Sequence, residues 1–371
     1  LTEDGNSLEE KIQAVIDSKH GSQLVKRIDE LKNNKEIIDA EHTKYDQNYE
    51  IASRHDSLIT VCASTFGPES QCAQELGYYF VSSEPLAELS VKNYDVLVYN
   101  PNLKKAIFIE CKSSISRAGK IVNELYEAKE QVENNKEYLE EKIGGDIESL
   151  EFVICVPTEY TNTIAQEFEK REKDGTIDED IDGLFLIWQV NRFFDDSLQL
   201  FTRISRDKEY DCQHKDRDLT RLLGKGCNVS DSEVIIKFNM SSHPQKKNIQ
   251  IVAHIAKKCL HSESSIEFSQ ALVEEFCTSE STLVHYSRDE IGSKIADAFL
   301  RENKELELIE PIEDKNGCFK LKIKGKTLGT IIKNYEKEYK EKRIKKNILR
   351  VAQKKAYDEI KSTQLSLFSF D

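Results

Sequence analysis

The chain has 371 residues and a mass of 42.7 kDa, enough for two or three domains. Hydrophobic residues are 38% and charged residues 32%, with no run of 18 apolar residues, which excludes a helical membrane span. The net charge of −14 argues against a nucleic-acid partner until it is divided: residues 315–361 carry 16 Lys/Arg and 5 Asp/Glu, a balance of +11, leaving −24 for residues 1–314.

The opening LTEDGNSLEE has neither the basic nor the apolar stretch of a secretory signal. Nine scattered cysteines, odd in number, fit free thiols in a reducing, cytoplasmic setting. Residues 1–60 read as a helical N-terminal region, with Leu8, Ile12, Val15, Leu24, Val25, Ile28 and Leu31 at helical spacing and a break near Gly21. Packing or self-association into a homodimer is the role expected of it.

From residue 61 to 200 the pattern alternates. Gly67-Pro68 leads into a predicted helix, ESQCAQEL, closed by Gly77. Predicted strands follow at YYFV (78–81), YDVLVYN (94–100) and AIFIECK (106–112), then a long polar helix over about 117–142. EFVICV (151–156) is a strand, TNTIAQEFEKREKDG a helix and LFLIWQV (184–190) a buried strand. This order predicts an α/β fold whose sheet is covered by helices. Residues 201–243 read as a connecting region, with one strand-like piece, EVIIKFN (233–239). Residues 244–326 predict three helices and a β-hairpin turning at Asn316-Gly317, and a Lys-rich helix follows over 327–363.

Asp95 opens one predicted strand, and Glu110-Cys111-Lys112 closes the next, so Glu110 and Lys112 share a face and Cys111 takes the other. A turn centred between Asn102 and Leu103 makes paired positions sum to 205 and sets Asp95 opposite Glu110. Facing carboxylates repel, and a hard divalent cation such as Mg²⁺ converts the repulsion into coordination. Lys112 is then placed to orient the attacking water and to stabilise charge on a phosphate.

The stretch from Glu69 to Val190 resembles the PD-(D/E)xK nuclease superfamily, with its restriction-endonuclease-like α-β-β-β-α-β core. The resemblance implies a Mg²⁺-dependent DNA endonuclease, with Mn²⁺ as substitute, in which Asp95 and Glu110 hold the metal and Lys112 completes the motif. It also implies a Glu in the first core helix, for which Glu69 is the candidate and Glu75 the reserve, and a Gln in the helix after the Lys, for which Gln131 stands. Asn93-Tyr94 departs from the Pro or Gly common before the Asp.

The three helices plus hairpin resemble a winged-helix domain in element order. Arg288, Lys294 and Arg301 on its third helix, with Lys320, Lys322 and Lys324 on its wing, are the expected DNA contacts. Cys212-x-His214 and Cys259-x-His261 lack the loop spacing of structural zinc sites and read as buried thiols and surface histidines. The tail 364–371 resembles a sliding-clamp-binding motif through Gln364, Leu365, Leu367, Phe368 and Phe370, which implies a clamp partner and a repair or replication-linked role. The alternatives are a restriction endonuclease and a non-catalytic DNA-binding protein that retains the fold.

Overall fold

Ser7 opens helix α1 (Leu8–Ile16) with a reciprocal cap: its hydroxyl accepts from Glu10 N, and the Glu10 carboxylate accepts from Ser7 N. The computed structural model describes residues 7–18, 20–176, 185–192, 198–203, 213–229, 242–259, 266–278 and 288–368. The chain divides into two compact units, residues 1–50, 303–310 and 321–371 in the first, and 51–302 and 311–320 in the second. It is a mixed α/β protein, and among the described residues no helix is long and apolar enough to cross a membrane.

In the first unit α1 and α2 (Gly21–Lys32) pack on the long C-terminal helix α12 (Leu328–Phe368). The contact follows from sequence period: Ile344, Ile348, Ala352, Ala356 and Ile360 recur every fourth position and form one stripe against Ile12, Leu24, Ile28 and Leu31. Ala352 and Ala356, fully buried, let the helices approach closely. Arg27 adds a two-pronged pair with Glu359 (2.6 and 3.1 Å), and Lys340 meets Asp46 at 2.6 Å. Segments 1–50 and 321–371, at opposite ends of the sequence, therefore share one core. Of the basic side chains of α12, Lys340 is matched by the N-terminal Asp46.

The second unit is built on a seven-stranded sheet in the order β1 to β7: β1 (Tyr79–Ser83), β2 (Val96–Asn100), β3 (Lys105–Cys111), β4 (Ser149–Pro157), β5 (Phe185–Arg192), β6 (Leu198–Thr202) and β7 (Cys227–Val229). The β3–β4 and β4–β5 pairs are parallel and the rest antiparallel. The parallel pairs are bridged by α5 (Ala118–Asn134) with α6 (Lys136–Ile143), and by α7 (Thr161–Lys173), as parallel pairing requires. Alternation along the strands sends Ala106, Phe108, Phe152 and Ile154 to the face under these helices. Ile107, Ile109, Cys111, Val153 and Cys155 go to the other face.

That second face is covered by the C-terminal half of α3 (Lys35–Thr65), through Leu58, Ile59, Cys62 and Ala63, and by α8 (Arg217–Lys225), through Leu219 and Leu223. The predicted helix at ESQCAQEL is only α4 (Gln71–Gln74), so α3 is the helix that packs where the first core helix was expected. The polar helix over 117–142 is two, broken at Asn135, whose amide donates to Gln131 O at 2.7 Å. The expected connection over 201–243 holds α8 and β7, and β6 spans its first boundary; β6 and β7 extend the sheet and α8 packs on it. Gly226 (φ +87°) makes the turn between α8 and β7, and a Cβ there would lie 2.4 Å from Phe201 Cε1. EVIIKFN (233–239) lies outside the described residues.

Beyond the sheet come α9 (Pro244–Cys259), β8 (Ile266–Ser269), α10 (Gln270–Thr278), α11 (Arg288–Glu305), β9 (Ile309–Pro311) and β10 (Cys318–Leu321), with strand order β8-β10-β9. Strand β8 stands where the second predicted helix was expected to begin. Lys246 of α9 pairs with the buried Asp56 of α3 at 2.8 Å, and Ser242 donates to the same carboxylate.

Candidate active site

The β2–β3 hairpin sets the site. Asn100 accepts from the backbone of Asn102 and Leu103 and donates to Leu76 O, which fixes the four-residue turn. The register is Asn100 with Lys105 through Val96 with Ile109, so positions sum to 205, the register read from the turn. Asp95, one step before β2, lies beyond that paired stretch: its N donates to Ile109 O at 3.0 Å, one position off the register, and its charge reaches the Glu110 carboxyl.

Asp95 is 9% exposed. Its Oδ2 accepts from Cys111 N at 2.7 Å and lies 3.3 Å from His55 Nε2. Glu110 Oε1 is 2.5 Å from Lys112 Nζ, and Glu124 of α5 stands 3.9 Å from the same nitrogen. Four charged side chains and an imidazole thus gather at one end of the sheet, from β2, β3, α3 and α5. Burial, then the Asp95 charge, push the Glu110 carboxyl up to about 8 against the pull of Lys112. Burial disfavours the charged forms of Lys112 and His55, but neighbouring carboxylates outweigh it: Glu110 raises Lys112 and Asp95 raises His55. Asp95, Glu110 and Glu124 offer oxygen donors of the kind a hard divalent ion takes, although among the described residues they do not form a group of three potential ligand atoms within 4.8 Å of one another.

Side-chain partners of the Asp95, Glu110 and Lys112 triad are His55 and Glu124, neither of which the sequence reading singled out. Glu124 flanks the apolar stripe Ile121–Leu125–Ala128, and His55 directly precedes the apolar run Leu58–Phe66; a charge at the margin of such a stripe was the available signal. Glu69 is exposed and accepts from Gln74 Nε2 at 3.2 Å, and Glu75 is exposed at the end of α4. Gln131 is half-buried, seven residues beyond Glu124, roughly 10 Å along α5. The structure brings Asp95, Glu110 and Lys112 together and does not join Glu69 or Gln131 to them.

Behind the site, Cys62, Cys111 and Cys155 place their sulfurs within 4.8 Å of one another. Three thiolates so spaced could share a soft ion, but burial pushes the Cys62 and Cys111 thiols well up, which favours neutral packing. A second polar cluster lies on the same sheet. Glu151 pairs with Lys105 at 2.5 Å and with His214 Nδ1 at 2.7 Å, while Trp188 Nε1 donates to His214 Nε2 at 2.9 Å. His214 is buried, not a surface histidine, and its hydrogen bonds fix the proton on Nδ1. Burial disfavours ionised Glu151, but His214 and Lys105 outweigh it and bring the carboxyl down to about 2. Cys212 and His261 lie outside the described residues.

Of the expected DNA contacts, Lys294 and Arg301 are exposed on α11, and Lys320 lies in β10; Arg288 begins α11. Lys322 and Lys324, in the first unit, line a cleft of about 580 Å³ with Lys337 and Lys342. Lys322 lies 3.6 Å from Glu310, and Lys342 donates to Glu307 O. Helix α12 continues through Gln364, Leu365 and Leu367 to Phe368, beyond the expected helix end at 363; Phe370 lies outside the described residues.

No family model and no solved structure matches the chain. An uncharacterized protein of Archaeoglobus fulgidus (strain ATCC 49558 / DSM 4304 / JCM 9628 / NBRC 100126 / VC-16) is 23% identical to it over 360 residues, 91% of each chain.

Proposed function

We propose that the chain is a cytoplasmic Mg²⁺-dependent DNA endonuclease of the restriction-endonuclease-like kind. The observation that carries this reading is Asp95 and Glu110 at neighbouring strand ends, close enough for the charge of Asp95 to act on the Glu110 carboxyl, with Lys112 on Glu110. Asp95 and Glu110 would hold the metal, and Mn²⁺ would substitute for Mg²⁺. When bound, the ion supplies a Lewis acid for the phosphoryl oxygen and a water acidified toward hydroxide. Lys112 stands at the same edge, placed to orient that water and to oppose charge developing on the phosphorus oxygens. Glu124 is within reach of Lys112 and helps hold its ammonium in place.

Other features support a DNA substrate. The order helix, strand, helix, helix and two strands over 244–321 is that of a winged helix, and Lys294, Arg301, Lys320 and Arg288 belong to it. Lys322, Lys324, Lys337 and Lys342 outnumber Glu307 and Glu338 in the lining of one cleft, a net-basic surface suited to phosphate. The tail Gln364–Phe370 favours a clamp-linked repair or replication role over restriction; deletion of 364–371 should abolish clamp pull-down, and unchanged capture would refute that role. The activity is tested by nicking of supercoiled plasmid with Mg²⁺. Wild type should cut and Lys112→Ala should not; equal cutting by both would remove the assigned mechanism, and cutting by neither would favour a DNA-binding module.

A further inference from the structure

We propose that Cys62, Cys111 and Cys155 form a three-coordinate site for one soft monovalent ion, Cu⁺, in the core between α3 and the sheet. The site is separate from the carboxylates and stands whether or not the chain is a nuclease. Cys111 and Cys155 are register partners in the parallel β3–β4 pair, so their side chains lie side by side on the face that α3 covers. Cys62 meets them from α3. The three sulfurs lie within 4.8 Å of one another, and Cys111 Sγ is 3.9 Å from Cys62 Sγ. An ion centred in a sulfur triangle, with bonds of about 2.3 Å, holds its ligands about 4.0 Å apart. The Cys62–Cys111 edge already has that length.

The ligand set selects the ion. Thiolate sulfur is soft and suits Cu⁺ or Zn²⁺ rather than Mg²⁺ or Ca²⁺. Structural Zn²⁺ takes four ligands in a tetrahedron. Among the described residues no fourth ligand joins these three. All three are 0% exposed, in an apolar core shared with Phe66, Val153 and Trp188, so water does not complete a tetrahedron. Cu⁺ accepts three sulfurs in a plane and is the ion that fits. In the metal-free chain the trio packs as thiols. Each S–H that gives way to a Cu–S bond releases its proton to solvent, and neither sulfur nor copper changes oxidation state. The bound ion ties α3 to β3 and β4, directly behind the Cys111 N–H that donates to Asp95 Oδ2. The competing role is packing alone, in which the sulfurs meet no ion.

The test uses the full, reduced chain without oxygen and Cu⁺ alone, supplied as its acetonitrile complex and brought to equilibrium against a chromophoric Cu⁺ chelator. X-ray absorption of the loaded chain reads the ligands. Wild type should hold one Cu⁺ against the chelator, with three sulfurs at about 2.3 Å. Cys155→Ala should bind it at least about a hundredfold more weakly, at or beyond the most that loss of an outer-shell partner gives. Cys227→Ala, which removes a half-buried thiol outside the trio, should bind as wild type does. Failure of wild type to hold the ion, or a wild-type spectrum with two sulfurs, overturns the site. Equal binding by Cys155→Ala, or equal loss in Cys227→Ala, places the ion elsewhere and overturns it too. The spectrum is read on wild type, so the test stands even where a variant does not fold.

Discussion

Glu151→Gln removes the one negative charge of a buried cluster and leaves its shape. Glu151, Lys105 and His214 are 6%, 4% and 4% exposed. A carboxyl held at about 2 in the folded chain, against 4.5 ordinarily, stabilises the fold by about 3 kcal/mol at neutral pH. Removing one partner of a buried pair costs a similar amount, about 3–5 kcal/mol, because Lys105 is left charged and dry. The only tryptophan, Trp188, donates to His214 and stacks on Phe66 at 5.6 Å, so its fluorescence reports this cluster. Urea unfolding at pH 7 should show a midpoint lowered by about 1 M in the variant. Because the folded-state value lies below the unfolded one, the stabilisation is complete above about 4.5 and is lost as pH falls toward 2. Wild type should therefore converge on the variant across that window. Equal midpoints at pH 7 with parallel pH profiles would refute the reasoning.

Mn²⁺ at a hundred times its Kd should stabilise wild type by about 2.7 kcal/mol and Asp95→Asn hardly at all; an equal thermal shift in both would place the ion elsewhere. Ala352→Leu should overpack the α2–α12 contact and cost about 1–3 kcal/mol, read as faster hydrogen exchange over residues 21–32. Unchanged exchange there would mean that the stripe is not close-packed. Alanine at Lys322, Lys324, Lys337 or Lys342 should each reduce the slope of log affinity for DNA against log salt by about 1, measured by fluorescence anisotropy. An unchanged slope would remove the cleft from the DNA-binding surface.

What the sequence made legible was local. The hairpin register follows from a short turn and a period of two, whereas the shift at Asp95, whose N bonds Ile109 O one position off that register, does not. The strands β2 to β5 were legible as β-branched, apolar runs bounded by turn residues. Helix α3 was legible as helix up to residue 60, but its last turn and its packing on the sheet were not, since LITVCAST carries strand-favouring residues. His55 was missed with it, because its role depends on which helix covers that face. The pairing of α12 with α1 and α2 joins segments some 300 positions apart, which no local period reveals. His214 looked like half of a weak metal motif, and only the fold brings it to Glu151 and Trp188.

Asp95, Glu110 and Lys112 are proposed to form a metal-dependent phosphodiesterase site. Supercoiled plasmid incubated with Mg²⁺, for wild type and Lys112→Ala side by side, tests it most directly. Nicked and linear products are expected from wild type alone, abolished by chelation of the ion; products from both proteins, or none from either, would contradict a metal-dependent phosphodiesterase site.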